Sequence, residues 1–321
     1  MRRSVSLSGV IEGNDVRAGH GSDVVSKINT LNVCVSHLPF PKRFDHYVDV
    51  MISPVPMTGP RRVVHISDDY FGEQGHALSE YAQLLWFYEN LKDFTTGYEY
   101  VRLFQYRRFV ARASLGDAGW NSFSTWIPSS RLELVSDEFD RFSASELFNQ
   151  AMLIRGGVPF QYAMSHVLED LLNFSKFLLE INLLTPLEVV EFLTSDELIT
   201  ACSTGIYAIK TFEEIFAKLK LAANFIYSTY YTPRTGIQRR VGGFLLERLN
   251  SYLLLRHLRK QSNGHKFGYY IMIEDDKLIK KLERRLYRYA YWAAIKAGDF
   301  AQRHVSGIHI GTRIRALLTE I

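Results

Sequence analysis

Short apolar runs separated by turn-forming residues open the patterned part of the chain. Asn32–Ser36 (Asn-Val-Cys-Val-Ser) reads as a strand, and His37 through Pro41 leaves it as a loop. Tyr47–Ile52 and Arg62–Ile66 have the same strand-like character, and the stretch between them is rich in Pro and Gly. Ser79–Leu91 predicts a helix, because Tyr81, Leu84, Leu85 and Tyr88 recur at the helical period and Ser79 suits an N-cap. Tyr100–Phe104 is the next strand, running directly into Gln-Tyr-Arg-Arg-Phe. From about residue 143 the pattern turns mainly helical, over Ser143–Ile154, Tyr162–Ile181, Pro186–Phe192, Thr211–Tyr227, Gly242–Arg259 and Lys277–Phe300. Thr204–Ile209 returns to the sheet, and Tyr269–Ile273 is a short extended piece. The order predicts an α/β fold with strands ending at a shared edge and a mainly helical C-terminal part. The expected boundaries are a poorly ordered arm at 1–30, an α/β domain at 31–258 and a basic helical extension at 259–321.

Composition narrows the class. Of 321 residues 47% are apolar and 22% charged, which excludes a mainly disordered protein. Aromatics reach 13%, a surplus that suits packing and also surfaces that hold sugars or bases. Net charge is only +4, which favours an anionic partner without demanding one. Two distant cysteines, Cys34 and Cys202, exclude a disulfide framework or a zinc ribbon and fit a reducing compartment. The sequence has no run of eighteen apolar residues and no apolar signal core near its start, so a cytoplasmic protein is expected. The Gly-x-Gly-x-x-Gly fingerprint, the Walker loop, His-Glu-x-x-His and Gly-x-Ser-x-Gly are all missing, which disfavours the common dehydrogenase, ATPase, metalloprotease and lipase classes.

Several constellations carry candidate chemistry beside an ordinary structural reading. Tyr106-Arg107-Arg108 follows a strand, where two guanidiniums can grip a diphosphate through forked hydrogen bonds; a surface arginine pair is the plain alternative. Asp68-Asp69 follows another strand and could bind a metal or sugar hydroxyls, or simply form a capped turn. Glu80 stands in the first turn of a helix, as a cap or as a carboxylate facing the ligand edge. His166, Glu169 and Asp170 at i, i+3 and i+4 predict one helical face, for acid–base work or solvation. Arg239-Arg240-Val-Gly-Gly opens a helix whose N-terminus attracts phosphate, with Glu247 and Arg248 two turns on. Lys277–Arg303 interleaves basic residues with Tyr287, Tyr289, Tyr291 and Trp292, the pattern of an interfacial helix at a membrane or of a solvated basic face. A nucleic-acid partner has no motif to support it.

The order of these motifs resembles a bacterial family of capsule and O-antigen gene clusters, formerly catalogued as a domain of unknown function and grouped with nucleotide-sugar-dependent glycosyltransferases. Val35-Ser36-His37 stands where that family has a strand followed by Thr-His, and Asp68-Asp69 matches its Asp-Asp. Glu80 with Leu85-Trp86-Phe87-Tyr88-Glu89-Asn90 matches a Glu-led helix with a Tyr-Trp-x-Trp-Lys-Asn core. Gln105-Tyr106-Arg107-Arg108-Phe109 matches His-Tyr-Arg-Arg-Tyr, with Gln105 in place of the imidazole. Gly243-Phe244-Leu245-Leu246-Glu247-Arg248-Leu249 matches Gly-Phe-x-x-Glu-Arg-Leu in full. The resemblance spans 31–258. It implies a GT-A-like fold and a hexosyltransferase-type glycosyltransferase acting on a nucleotide-diphosphate sugar, with uridine the favoured base. The acceptor would be a cell-surface glycan or a lipid-linked one. It places catalytic carboxylates among Asp69, Glu80, Asp68 and Glu247, and substrate contacts among His37, Tyr106, Arg107, Arg108, His166, Arg240 and Arg248. Arginines stand where related folds hold a metal, so no metal site is expected, although a divalent ion is compatible with the scheme. The donor nucleotide sugar is the only cofactor-like molecule expected, and a peripheral position on the inner face of the cytoplasmic membrane fits the basic tail. A non-catalytic nucleotide- or membrane-binding protein on the same fold is the rival reading.

Overall fold

A computed structural model describes residues 30–36, 47–56, 62–66, 74–115, 124–131, 145–154, 156–261 and 266–274. The expected arm up to residue 29, His37, Asp68, Asp69 and the basic stretch Lys277–Arg303 lie outside the described residues.

The chain builds a mixed, mostly parallel sheet flanked by helices. β1 (Thr30–Val35) lies between β2 (Val50–Ser53) and β4 (Tyr100–Phe104), parallel to both, and β3 (Val63–His65) adds in parallel outside β2. β5 (Arg108–Ala111), β6 (Ser124–Pro128) and β7 (Leu147–Asn149) follow, and β8 (Ala151–Leu153) pairs β9 (Glu197–Ile199) in a separate ribbon. β10 (Gly205–Ala208) inserts antiparallel between β4 and β7. β11 (Lys266–Glu274) runs parallel to β7 with its first half and to β6 with its second, and antiparallel to β5. The order is β3-β2-β1-β4-β10-β7-β11-β5, with β6 on β11. The sheet therefore takes in residues beyond 258, and the expected helical extension from 259 contains one of its longest strands. The extended piece at Tyr269–Ile273 is part of that strand.

The central strands are apolar on both faces, as buried parallel strands are. Val33 and Val35 of β1 enter the main core with Val50, Ile52, Val101 and Leu103. Cys34, Met51 and Phe104 point the other way, into a second core with Phe109, Ile127 and Ile271. Among the described residues, eight helices surround this frame: α1 (Gln74–Leu78), α2 (Glu80–Glu89), α3 (Lys92–Thr95), α4 (Gly157–Ala163), α5 (Leu168–Glu180), α6 (Pro186–Thr194), α7 (Ile209–Ala223) and α8 (Val241–Lys260). α6 shows the cleanest local cause: Thr185 caps it in a reciprocal box with Glu188, and Pro186 follows at the first position.

Two helical expectations give way. The helix expected at Ser143–Ile154 is β7 and β8 instead. Leu147 and Phe148 are buried against β10 and β11, partners that arrive over fifty residues later in the chain. The helix expected at Tyr162–Ile181 breaks between Ala163 and Leu168, because it serves two short helices packed against different neighbours.

α8 is the helix that organises the rest. It touches α1, α2, α5, α7 and β9. Its start is close-packed: a Cβ at Gly242 would lie 2.9 Å from the Ala77 carbonyl oxygen, and one at Gly243 would lie 2.8 Å from that of Leu78 and 2.9 Å from the Ser79 Cβ. The two glycines thus make room for a crossing backbone rather than for a phosphate. Gly243→Ala should force that crossing apart at about 1–3 kcal/mol, measured as a fall in denaturant midpoint with unchanged slope.

Candidate functional site

The carboxyl ends of parallel strands form the edge where ligands of open α/β sheets sit. At this edge the chain leaves β4 through a tight hairpin. Gln105 N–H donates to the Arg108 carbonyl at 2.8 Å, Arg108 N–H returns to that of Gln105 at 3.2 Å, and Tyr106 and Arg107 occupy the corner. β11 secures the hairpin from the side, with Ile273 N–H donating to the Arg107 carbonyl at 2.8 Å. Gln105 stands where an imidazole was expected; it is buried, and its Nε2 donates to Ser203 Oγ at 3.4 Å.

The two arginines differ. Arg107 pairs Nη1 with Glu274 Oε1 at 3.1 Å, and its guanidinium lies 5.5 Å from the Tyr106 ring centre. Arg108 has no carboxylate partner among the described residues. Each carries a buried Nε–H with no hydrogen-bond acceptor among the described residues. A buried donor left unmatched costs about 1–3 kcal/mol.

Glu80 and Glu247 reach the same place from two helices. Gln83 of α2 donates to the carbonyls of Ser36 at 3.1 Å and Ile52 at 2.9 Å, which ties that helix to the ends of β1 and β2. Glu80, one turn earlier, pairs with Arg240 at 3.2 Å. On α8, Glu247 accepts the Ala201 N–H at 3.3 Å and the Arg248 Nη1 at 2.7 Å. Arg248 is nearly buried; it also donates to the Phe244 carbonyl and to Gln161 Oε1, with its guanidinium 5.5 Å from the Tyr162 ring centre. Tyr270 of β11 is buried, and burial pushes its hydroxyl up to about 12, with the charges of Arg108, Glu247, Glu80 and Arg107 as smaller influences.

Beneath Glu247 lies a polar knot that sequence reasoning missed. Ala201 adopts φ 51°, and the Cys202 carbonyl accepts from Tyr207 Oη at 2.5 Å and Asn250 Nδ2 at 3.1 Å. Asn250 also donates to Tyr81 Oη at 3.2 Å. Burial, then Glu247, holds the Cys202 thiol far above its ordinary value, so it stays protonated and inert. No spacing links Tyr81, Ala201 and Asn250; their one sequence signal is polar residues inside apolar runs.

The cluster expected at His166, Glu169 and Asp170 does not form. His166 precedes α5, so the three do not share a helical face. It stacks on Phe244 with ring centres 4.0 Å apart and bonds Gln238 at 3.3 Å. Asp170 is buried in an ion pair with Arg234. No group of three metal-ligating side chains occurs among the described residues. Burial, then Arg248, lowers His166 from 6.5 to about 4. The folded state therefore favours neutral His166, and stability present above pH 6.5 is lost as pH falls towards 4. His166→Phe should keep the stack and flatten the pH dependence of stability in that window, measured by urea unfolding against wild type.

Comparison with known proteins bears on the fold. No family model and no curated protein matches the chain. Among solved structures, the chain is similar to an apo structure of the WbbM bifunctional glycosyltransferase, with a TM-score of 0.59 at 11% identity. The similarity covers 77% of this chain and 46% of that one, so the chain spans less than half the length of its structural neighbour. What the two share is the fold. No helix among the described residues is long and apolar enough to cross a membrane.

Proposed function

We propose that the protein is a glycosyltransferase that moves a sugar from a nucleotide-diphosphate donor to a cell-surface glycan or lipid-linked acceptor, as in capsule or O-antigen synthesis. The observation that carries this reading is the Gln105–Arg108 hairpin, which sets Arg107 and Arg108 just beyond β4, with Glu80 on a helix that Gln83 ties to the ends of β1 and β2, in a fold shared in outline with a glycosyltransferase.

In this mechanism the hairpin arginines hold the diphosphate. Negative charge grows on the leaving phosphate as the glycosidic bond breaks, and fixed guanidiniums stabilise it without reorganising. In this reading Arg108 supplies the donors; Arg107, already paired with Glu274, is held in place by that pair. The Tyr106 ring offers a face beside them. The four candidate carboxylates, Asp69, Glu80, Asp68 and Glu247, are proposed to contact the sugar or to accept the acceptor's proton. Arg240 and Arg248 act through these carboxylates. In this reading His166 and His37 bind at the margin, and the donor is a uridine diphosphate sugar. The diphosphate needs no metal where arginines carry its charge. The Lys277–Arg303 stretch would hold the enzyme against an anionic membrane surface, with no role for nucleic acid.

Two experiments bear on the reading. A charge-assisted contact contributes about 1.5–3 kcal/mol, so Arg108→Ala should weaken uridine diphosphate binding roughly ten- to a hundredfold in calorimetric titration. Wild-type affinity in that variant would remove the diphosphate from the hairpin. A general base contributes about 10²–10⁴ in rate. Among isosteric amide changes at Glu80, Glu247, Asp68 and Asp69, one folded variant should bind nucleotide normally and lose turnover by that factor. Full turnover in all four would exclude a carboxylate base.

A further inference from the structure

Ser79 links α1 to α2 with φ 55° and ψ −136°. This lies outside the left-handed helical region, in territory that glycine takes freely and other residues hold only under constraint. The serine does not repay this as a helix cap, since its side chain makes no capping bond. Its hydroxyl faces two charged groups instead. It donates to Glu80 Oε2 at 2.5 Å and accepts from Arg240 Nε at 3.0 Å and Nη2 at 2.5 Å. Arg240 Nη2 reaches the same Glu80 oxygen at 3.2 Å. One hydroxyl therefore fixes both the carboxylate and the guanidinium. Across the contact, Gly243 leaves the space that the Ser79 Cβ occupies. The fold tolerates a strained residue and a missing side chain opposite it, and both serve this one hydroxyl.

We infer that Ser79 is a positioning residue of the transfer site, holding Glu80 and Arg240 side by side as a clamp for neighbouring hydroxyls of the donor sugar. The carboxylate accepts from one hydroxyl and the guanidinium donates to the next. Gln83, one turn further along the same helix, donates to the carbonyls of Ser36 and Ile52, which puts the clamp at the carboxyl ends of β1 and β2. The sugar assignment rests on the nucleotide-sugar reading proposed above; the positioning of the pair does not.

The test compares Ser79→Gly, which removes the hydroxyl and relieves the backbone, with Ser79→Ala, which removes the hydroxyl and keeps the strain. Both variants lose the hydroxyl's bonds to Glu80 and Arg240 and only Ser79→Gly relieves the backbone, so Ser79→Gly should melt about 2–4 °C above Ser79→Ala. Each should lower kcat/KM for sugar transfer ten- to a hundredfold and leave uridine diphosphate affinity unchanged. A stability double-mutant cycle of Glu80→Gln and Arg240→Gln should show coupling in the wild type that falls in the S79G background. Undiminished coupling, an S79G variant that melts no higher than S79A, or wild-type transfer by S79G would overturn the inference. If the wild type binds no nucleotide, the nucleotide-sugar reading fails, and the cycle and the melting curves still decide whether Ser79 positions the pair.

Discussion

The backbone of α8 crosses the corner between α1 and α2 with no room for a side chain between them. Gly242 and Gly243 permit that approach, and much of the site follows from it. The crossing fixes the start of α8, so Arg240 meets Ser79 and Glu80. Along the same helix it sets Glu247 over the Ala201 turn and Arg248 against Gln161. Gln83 then ties α2 to the strand ends where the arginine hairpin begins. Helix and sheet are thereby tied into one frame.

The electrostatics of this frame are uneven in an informative way. Most cations at the edge already have an anion: Arg240 has Glu80, Arg248 has Glu247 and Arg107 has Glu274. Among the described residues Arg108 has no carboxylate partner, and the buried Nε–H of both hairpin arginines has no acceptor there. Paired arginines orient carboxylates; an unpaired one attracts an anion. In the proposed function these are two separate tasks, holding the leaving diphosphate and presenting a carboxylate to the sugar or acceptor.

Much of this was legible in the sequence, for identifiable reasons. β1, β4, α2, α6 and α8 carry strong periodicity or end signals, and the structure has them within a few residues of where the pattern puts them. The strand at Tyr100–Phe104 is where its pattern puts it, and Tyr106 and Arg107 fall in the turn that follows. β7 was not legible, because its partners β10 and β11 are distant in the chain and three residues leave no period to read. His166 misled because an i, i+4 spacing implies a shared face only where the helix is continuous. The glycines of α8 looked like a phosphate site and proved to be a packing site, a difference visible only once α1 is in place. Ser79 suited a cap by residue type; its positive φ is a tertiary fact.

The central claim is that the hairpin edge recognises a diphosphate. Calorimetric affinities for uridine, uridine monophosphate and uridine diphosphate, measured side by side on the intact chain, address it most directly. The account predicts that affinity rises with each phosphate, with the diphosphate at least about tenfold tighter than the monophosphate, which corresponds to about 1.4 kcal/mol. Equal affinity for the monophosphate and the diphosphate would contradict it, because the second phosphate would then meet no fixed cation.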